Sequence, residues 1–111
     1  MLPLKNRLKN KTDFDQTYRY GKSFFCAKIV VRVREVESPF MRLGISIGTK
    51  CVGKAVARNR LKRQIRAFFR ENLEKIKPGR DIVVILQKGW EEKNNPAEVI
   101  ARILAKNNQY I

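Results

Sequence analysis

The stretch from Lys50 to Arg70, KCVGKAVARNRLKRQIRAFFR, holds eight basic residues and no acid. They are Lys50, Lys54, Arg58, Arg60, Lys62, Arg63, Arg66 and Arg70. The chemistry open to this set is non-covalent. A guanidinium presents a planar fork of donors that matches phosphate oxygens, and several at helical spacing form a surface for a polyanion. Asn59, between two arginines, adds an amide suited to a sugar or base edge. Like charges at i,i+4 (Arg58/Lys62, Lys62/Arg66, Arg66/Arg70) cost an isolated helix about 0.2–0.5 kcal/mol each. A sequence shaped for stability alone would intersperse Glu here. A ligand carrying the missing negative charge removes the conflict. The competing reading, a solvated helix face, is disfavoured by the lack of any interleaved acid.

The rest of the chain narrows the options. Its 111 residues include 25 Lys and Arg against 10 Asp and Glu, for a formal net charge of +15. The charge is segregated: no carboxylate lies between Ser38 and Arg70, and six lie between Glu71 and Glu98. Histidine is absent, which removes Ser-His-Asp triads and His-pair ribonuclease mechanisms. The two cysteines, Cys26 and Cys51, cannot complete a zinc site without His and have no CxxC spacing. No apolar run reaches membrane-spanning length; the longest clean one is Ile82 to Leu86. The expectation is one small cytoplasmic domain, residues 1–111, whose counter-charge is nucleic acid, with an anionic membrane surface the weaker option.

The elements that must position the cations follow from periodicity and caps. Residues 1–11 form a basic arm with Lys5, Arg7, Lys9 and Lys11. A short helix is predicted from about Asp13 to Tyr20, with Thr12 as N-cap and Gly21 at its end. Phe14 and Tyr18 share a face of it at i,i+4. They are either core residues or exposed rings on which bases stack. An extended region covers about Ser23 to Glu35, with Ile29, Val31 and Val33 on one face and Val30, Arg32 and Arg34 on the other. A second strand, Arg42 to Gly48, sets Leu43, Ile45 and Ile47 against Gly44, Ser46 and Gly48. The nearly bare glycine face is a groove floor or a place of close approach.

A long helix is predicted from about Lys54 to Lys75, closed by Pro78-Gly79. Ala57, Leu61, Ile65, Phe68 and Phe69 form its apolar arc, and Arg60, Arg63, Arg66 and Arg70 fan across the opposite side. Asp81 to Leu86 is a buried strand, and a last helix starts with Asn95 as cap and Pro96 at the first position. The fold class is α+β: a small two-layer sandwich, one sheet with helices packed on it.

The basic segment resembles the bacterial ribonuclease P protein subunit. The family pattern Ala-Val-x-Arg-Asn-Arg-x-Lys-Arg-x-x-Arg stands here as Ala55-Val56-Ala57-Arg58-Asn59-Arg60-Leu61-Lys62-Arg63-Gln64-Ile65-Arg66. The likeness extends through Arg42-Leu43-Gly44-Ile45-Ser46-Ile47, Lys50, Gly53 and Lys54, and takes in Arg7-Leu8, Asp13-Phe14 and Gly21. It covers nearly the whole chain, loosely after Gly89. The resemblance implies a mixed sheet with a left-handed crossover around the basic helix. It also implies 5′ maturation of transfer RNA, in which a catalytic RNA subunit cleaves precursor tRNA with magnesium held mainly by the RNA. No catalytic residue, membrane or obligate protein partner is expected of this chain. Lys50, Lys54, Arg58, Asn59, Arg60, Lys62, Arg63 and Arg66 would face the RNA subunit. Phe14, Tyr18, Val30, Arg32 and Ser46 would line a cleft for the single-stranded 5′ leader. Arg32 stands where family members often carry an aromatic, and arginine can stack or pair with phosphate.

Rival readings are a ribosomal or other structural RNA-binding protein, a DNA-binding module and an autonomous nuclease. The first fits charge and size equally and is opposed by the extended motif. A DNA-recognition helix would mix in more base-reading polar residues. Most carboxylates lie outside the basic stretch, which disfavours a metal-dependent nuclease.

Overall fold

A computed structural model describes residues 2–91, 94–107 and 109–110. A 3-10 turn at Leu4–Asn6 leads into α1 (Lys11–Tyr20), β1 (Lys22–Cys26), β2 (Ile29–Glu35), β3 (Arg42–Ile47), α2 (Ala55–Glu71), β4 (Arg80–Leu86) and α3 (Pro96–Lys106). The strands form one mixed sheet in the order β1-β2-β4-β3. β1 and β2 pair antiparallel, as do β2 and β4, whereas β3 runs parallel to β4. The basic helix α2 is thus the crossover between two neighbouring parallel strands. This is the α+β, single-sheet architecture expected.

One sheet face carries the core. Ile29, Val31 and Val33 of β2, Leu43 and Ile47 of β3, and Ile82, Val84 and Leu86 of β4 meet Ala57, Leu61, Ile65, Phe68 and Phe69 of α2. Val99, Ile100, Ile103 and Leu104 of α3 complete it. The predicted apolar arc of α2 is therefore the buried one. α1 lies alone on the opposite face.

The departures have local causes. The first helix starts two residues early because Asn10, not Thr12, is its cap: the Asn10 side-chain oxygen accepts from the Thr12 amide at 2.8 Å. Gly21 ends the helix in extended backbone, where a Cβ would fall 2.6 Å from the Thr17 carbonyl oxygen. The extended region splits into a hairpin. Its two-residue turn, Ala27 and Lys28, has positive φ at both positions (48° and 71°) without the Gly or Asn that usually announces one. The long helix stops at Glu71 rather than Lys75. Asn72 caps it, its amide nitrogen donating to the Phe68 carbonyl at 2.7 Å. Asn95 and Pro96 open α3 as predicted, with the Asn95 side chain accepting from the Ala97 amide at 2.9 Å.

The N-terminal segment is packed, not free. Leu2 and Leu8 are buried, and the buried Asn6 donates to the Met41 carbonyl at 2.8 Å. Arg7 bridges Leu43, and the Leu8 amide donates to the Leu43 carbonyl at 2.8 Å. The segment thereby covers the outer edge of β3, which would otherwise present unpaired backbone groups.

Candidate nucleic-acid interface

Two surfaces meet at the β3 edge. The first is the outer side of α2. Its apolar arc fixes the helix on the sheet, so the remaining positions must face away. Asn59, Arg60, Arg63 and Arg70 are exposed, as are Lys50 and Lys54 before the helix, while Lys62 is half-buried. Among the described residues no ion pair engages any basic side chain of α2. Lys54 is the N-cap and makes no side-chain cap bond, and the first turn contains no acid. Cations at this end oppose the helix dipole, whereas an anion would satisfy both the dipole and the free amides.

Two arginines differ from the outward fan. Arg58 turns back: its Nη1 donates to the carbonyls of Val52 and Gly53, both at 2.9 Å. It clasps the loop that carries Lys50 and Lys54. Arg66, expected on the outward ridge, is half-buried and borders a cavity of about 270 Å³. Arg7, Lys9, Phe14 and Gly44 line the same cavity, so α2, the N-terminal segment and α1 share one cationic seam.

The second surface is the sheet face under and beside α1. Strand register sets out its rows. Arg34, Asp81 and Arg42 form one row, Ser23, Arg32, Val83 and Gly44 the next, and Phe25, Val30, Ile85 and Ser46 the third. α1 covers the first row through charge. Asp81, fully buried, accepts from Arg42 Nε and Nη2, both at 2.7 Å, and from Arg34 Nη2 at 3.3 Å. Asp13 of α1 accepts from Arg42 Nη1 at 3.2 Å, and Gln16 from Arg34 Nη1 at 2.6 Å. Hydrogen bonds to Asp81 raise the Arg42 pKa; burial opposes them, and the charges of Asp81 and Asp13 add to the rise. Two acids and two bases balance, and the cluster ties α1 to three strands.

Docked in this way, α1 presents Phe14 and Tyr18 differently. Phe14 is half-buried: a Cβ placed on Gly44 would lie 2.6 Å from its ring. At Gly44 the bare face is thus a place of close approach, filled by a side chain, whereas a Cβ at Gly48 would meet nothing within 4 Å. Tyr18 is exposed, and the Arg32 guanidinium carbon lies 5.3 Å from its ring centre. Arg32 Nη2 also reaches the Gly21 carbonyl at 3.3 Å. Val30 and Ser46 lie half-buried on the third row, which α1 leaves uncovered. All five predicted cleft residues therefore share one face.

Sequence reasoning missed Phe25, Ile85 and the charge cluster. Phe25 stands on the uncovered row and is 62 % exposed. Its signal was the Phe24-Phe25 pair, since strand alternation sends one of two adjacent rings outward. Asp81 was legible only as an acid opening an apolar strand.

Among the described residues no group of three or more His, Cys, Asp or Glu could hold a metal ion, and no helix is long and apolar enough to cross a membrane.

The geometry has counterparts in known proteins. A family model described as Ribonuclease P matches residues 2–105. The ribonuclease P protein component of Clostridioides difficile (strain 630) is 47% identical over 79 residues, covering 70% of this chain and 68% of that protein. The Geobacillus kaustophilus protein component is 40% identical over 91 residues, covering 81% of this chain and 74% of its own length. Among solved structures, the Staphylococcus aureus RNase P protein superposes with a TM-score of 0.84 at 29% identity, covering 96% of this chain and 98% of that one. The RNase P protein from Thermotoga maritima gives 0.78 at 36% identity, covering 95% and 99%. With the Arg-Asn-Arg helix set as the crossover of the same mixed sheet, the chain belongs to the ribonuclease P protein family.

Proposed function

We propose that this chain is the protein subunit of a ribonuclease P ribonucleoprotein. It assists RNA-catalysed removal of the 5′ leader from precursor tRNA. The observation that carries the reading is the pairing of two unlike surfaces on one small body. The α2 ridge has cations without acid partners and suits the phosphates of a folded RNA. The sheet face beside α1 has rings and apolar side chains beside Arg32, and suits unstacked bases.

The chain's part is positional. The α2 ridge and the Lys50–Lys54 approach neutralise phosphates of the RNA subunit near its catalytic centre. Tyr18, Arg32 and Val30 hold the leader as a single strand, with Phe14 and Ser46 flanking. Magnesium, when bound by the RNA, activates the attacking water. This chain contributes no ligand cluster for the ion among its described residues, and its positive field lowers the repulsion between the RNAs that the ions must otherwise screen.

The test is cleavage of precursor tRNA by a bacterial ribonuclease P RNA across a magnesium titration, with and without the chain. The expected result is a lower magnesium requirement in its presence. No effect at any protein-to-RNA ratio would favour a structural RNA-binding protein with no part in cleavage. Cleavage by the protein without RNA would overturn the assignment of chemistry to the RNA.

A further inference from the structure

We infer that Phe25 is a stacking platform for a base of single-stranded RNA, carrying the cleft past α1 onto the edge strand β1. The inference rests on the reading above that this sheet face takes the leader. Phe25 lies opposite Val30 and heads the uncovered row that continues through Ile85 to Ser46. Its neighbour Phe24 turns into the core, so β1 is held in place by one ring and offers the other to solvent. Phe25 is exposed here, and Val30, Ile85 and Ser46 are half-buried.

The spacing suits a nucleic-acid strand. Arg32 pairs with Ser23, which makes Arg32 and Phe25 diagonal neighbours, about 7–8 Å apart at their Cα atoms. Tyr18, the Arg32 guanidinium and Phe25 therefore follow one another across the face as three flat groups. A base on Tyr18 or Arg32 leaves its neighbour within reach of Phe25. Charge selects the occupant. Phe25, Val30, Ile85, Ser46, Ser23 and Arg32 include no carboxylate, and Lys28 is exposed in the hairpin turn beside β1. A second copy of a chain with net charge +15 would be repelled. A single RNA strand brings both the bases for the ring and the phosphates for the cations.

The experiment uses holoenzyme reconstituted from the full chain and a bacterial ribonuclease P RNA. Binding is measured for precursor tRNAs whose leaders grow one nucleotide at a time, and for mature tRNA. The variants are Phe25→Ala, Phe25→Leu and Phe25→Tyr, each checked by thermal melting. Phe25→Ala is expected to lose about tenfold in affinity, the scale of one base–ring stack, only for leaders long enough to reach β1. Phe25→Leu should follow Ala, and Phe25→Tyr should match the parent chain. If affinity still rises with leader length and Phe25→Ala equals the parent at every length, Phe25 has no such role while the cleft reading stands. Equal loss for mature tRNA also overturns the inference. If the parent chain gains nothing from a longer leader, the cleft reading itself fails. Self-association abolished by Phe25→Ala would assign the ring to a second copy.

Discussion

The Phe14 ring occupies the space that a side chain on residue 44 would need, with only 2.6 Å between its Cε2 and a Cβ at that position. This contact sets the height of α1 above the sheet, and with it the depth of the cleft beside Tyr18. Gly44→Ala should push the ring and the helix outward and lower stability by about 1–3 kcal/mol, the usual cost of overpacking. On the proposed reading, precursor tRNA should lose more affinity than mature tRNA, because the displaced helix would carry the leader-facing groups. Denaturant melts and paired binding measurements check both parts. Equal losses for the two RNAs would count against the cleft.

The same part of the helix is also held by charge, through Asp13 to Arg42 and from Arg42 to Asp81. Arg42→Ala leaves the buried Asp81 with only the longer Arg34 contact at 3.3 Å, so it should cost about 1–3 kcal/mol. Arg42→Lys should recover only part, because an ammonium cannot span both Asp81 oxygens as the guanidinium does at 2.7 Å. Urea unfolding of the two variants gives the comparison. A fully stable Arg42→Ala would show that α1 docks by packing alone.

Arg58 and Arg60 flank Asn59 but sit differently: Arg58 folds back onto the Val52 and Gly53 carbonyls, and Arg60 is exposed. Arg60→Ala should leave the melting temperature unchanged and reduce the salt slope of RNA-subunit binding by roughly 0.7–0.9 per lost phosphate contact. Arg58→Ala should also lower stability by about 1–2 kcal/mol, since its charged bonds to Val52 and Gly53 vanish at a partly exposed site. Thermal melts with affinities at several salt concentrations separate the two effects. Identical behaviour would mean that the Arg58 clasp is dispensable.

The β1–β2 turn offers a stabilising change. Ala27 and Lys28 sit at φ 48° and 71°, a region that costs an L-residue about 1–2 kcal/mol. Replacing the pair by Asn-Gly, the residues that favour this turn, should raise stability by about 1 kcal/mol. A chemical-denaturation midpoint that does not rise would show that the strain is absorbed elsewhere.

Much of the fold was readable along the chain because local physics dictates it. The apolar arc of α2, the Asn95-Pro96 start of α3 and the run Ile82 to Leu86 each carry a pattern that a single element explains. The cationic ridge was readable for the same reason: Arg60 and Arg63 must face outward once Leu61 and Ile65 face inward. The hairpin was not, because Ala27-Lys28 adopts a turn conformation that its residue types do not advertise. The end of α2 was misplaced because Asn72 caps it from within a run that still looked helical.

Composition and spacing alone determined that this chain is a strongly cationic body, with an acid-free basic helix and without the histidine chemistry of a protein nuclease, since charge and residue type need no partner to be counted. Tertiary structure decided which side chains share a surface. Sheet order places Phe25, Val30, Ile85 and Ser46 in one row although they come from four different strands and span much of the chain. It also brings Asp13 of the first helix to Arg42 of the third strand. Such neighbours are set by strand register and helix docking, which are long-range outcomes of burying one sheet face, and no local pattern encodes them.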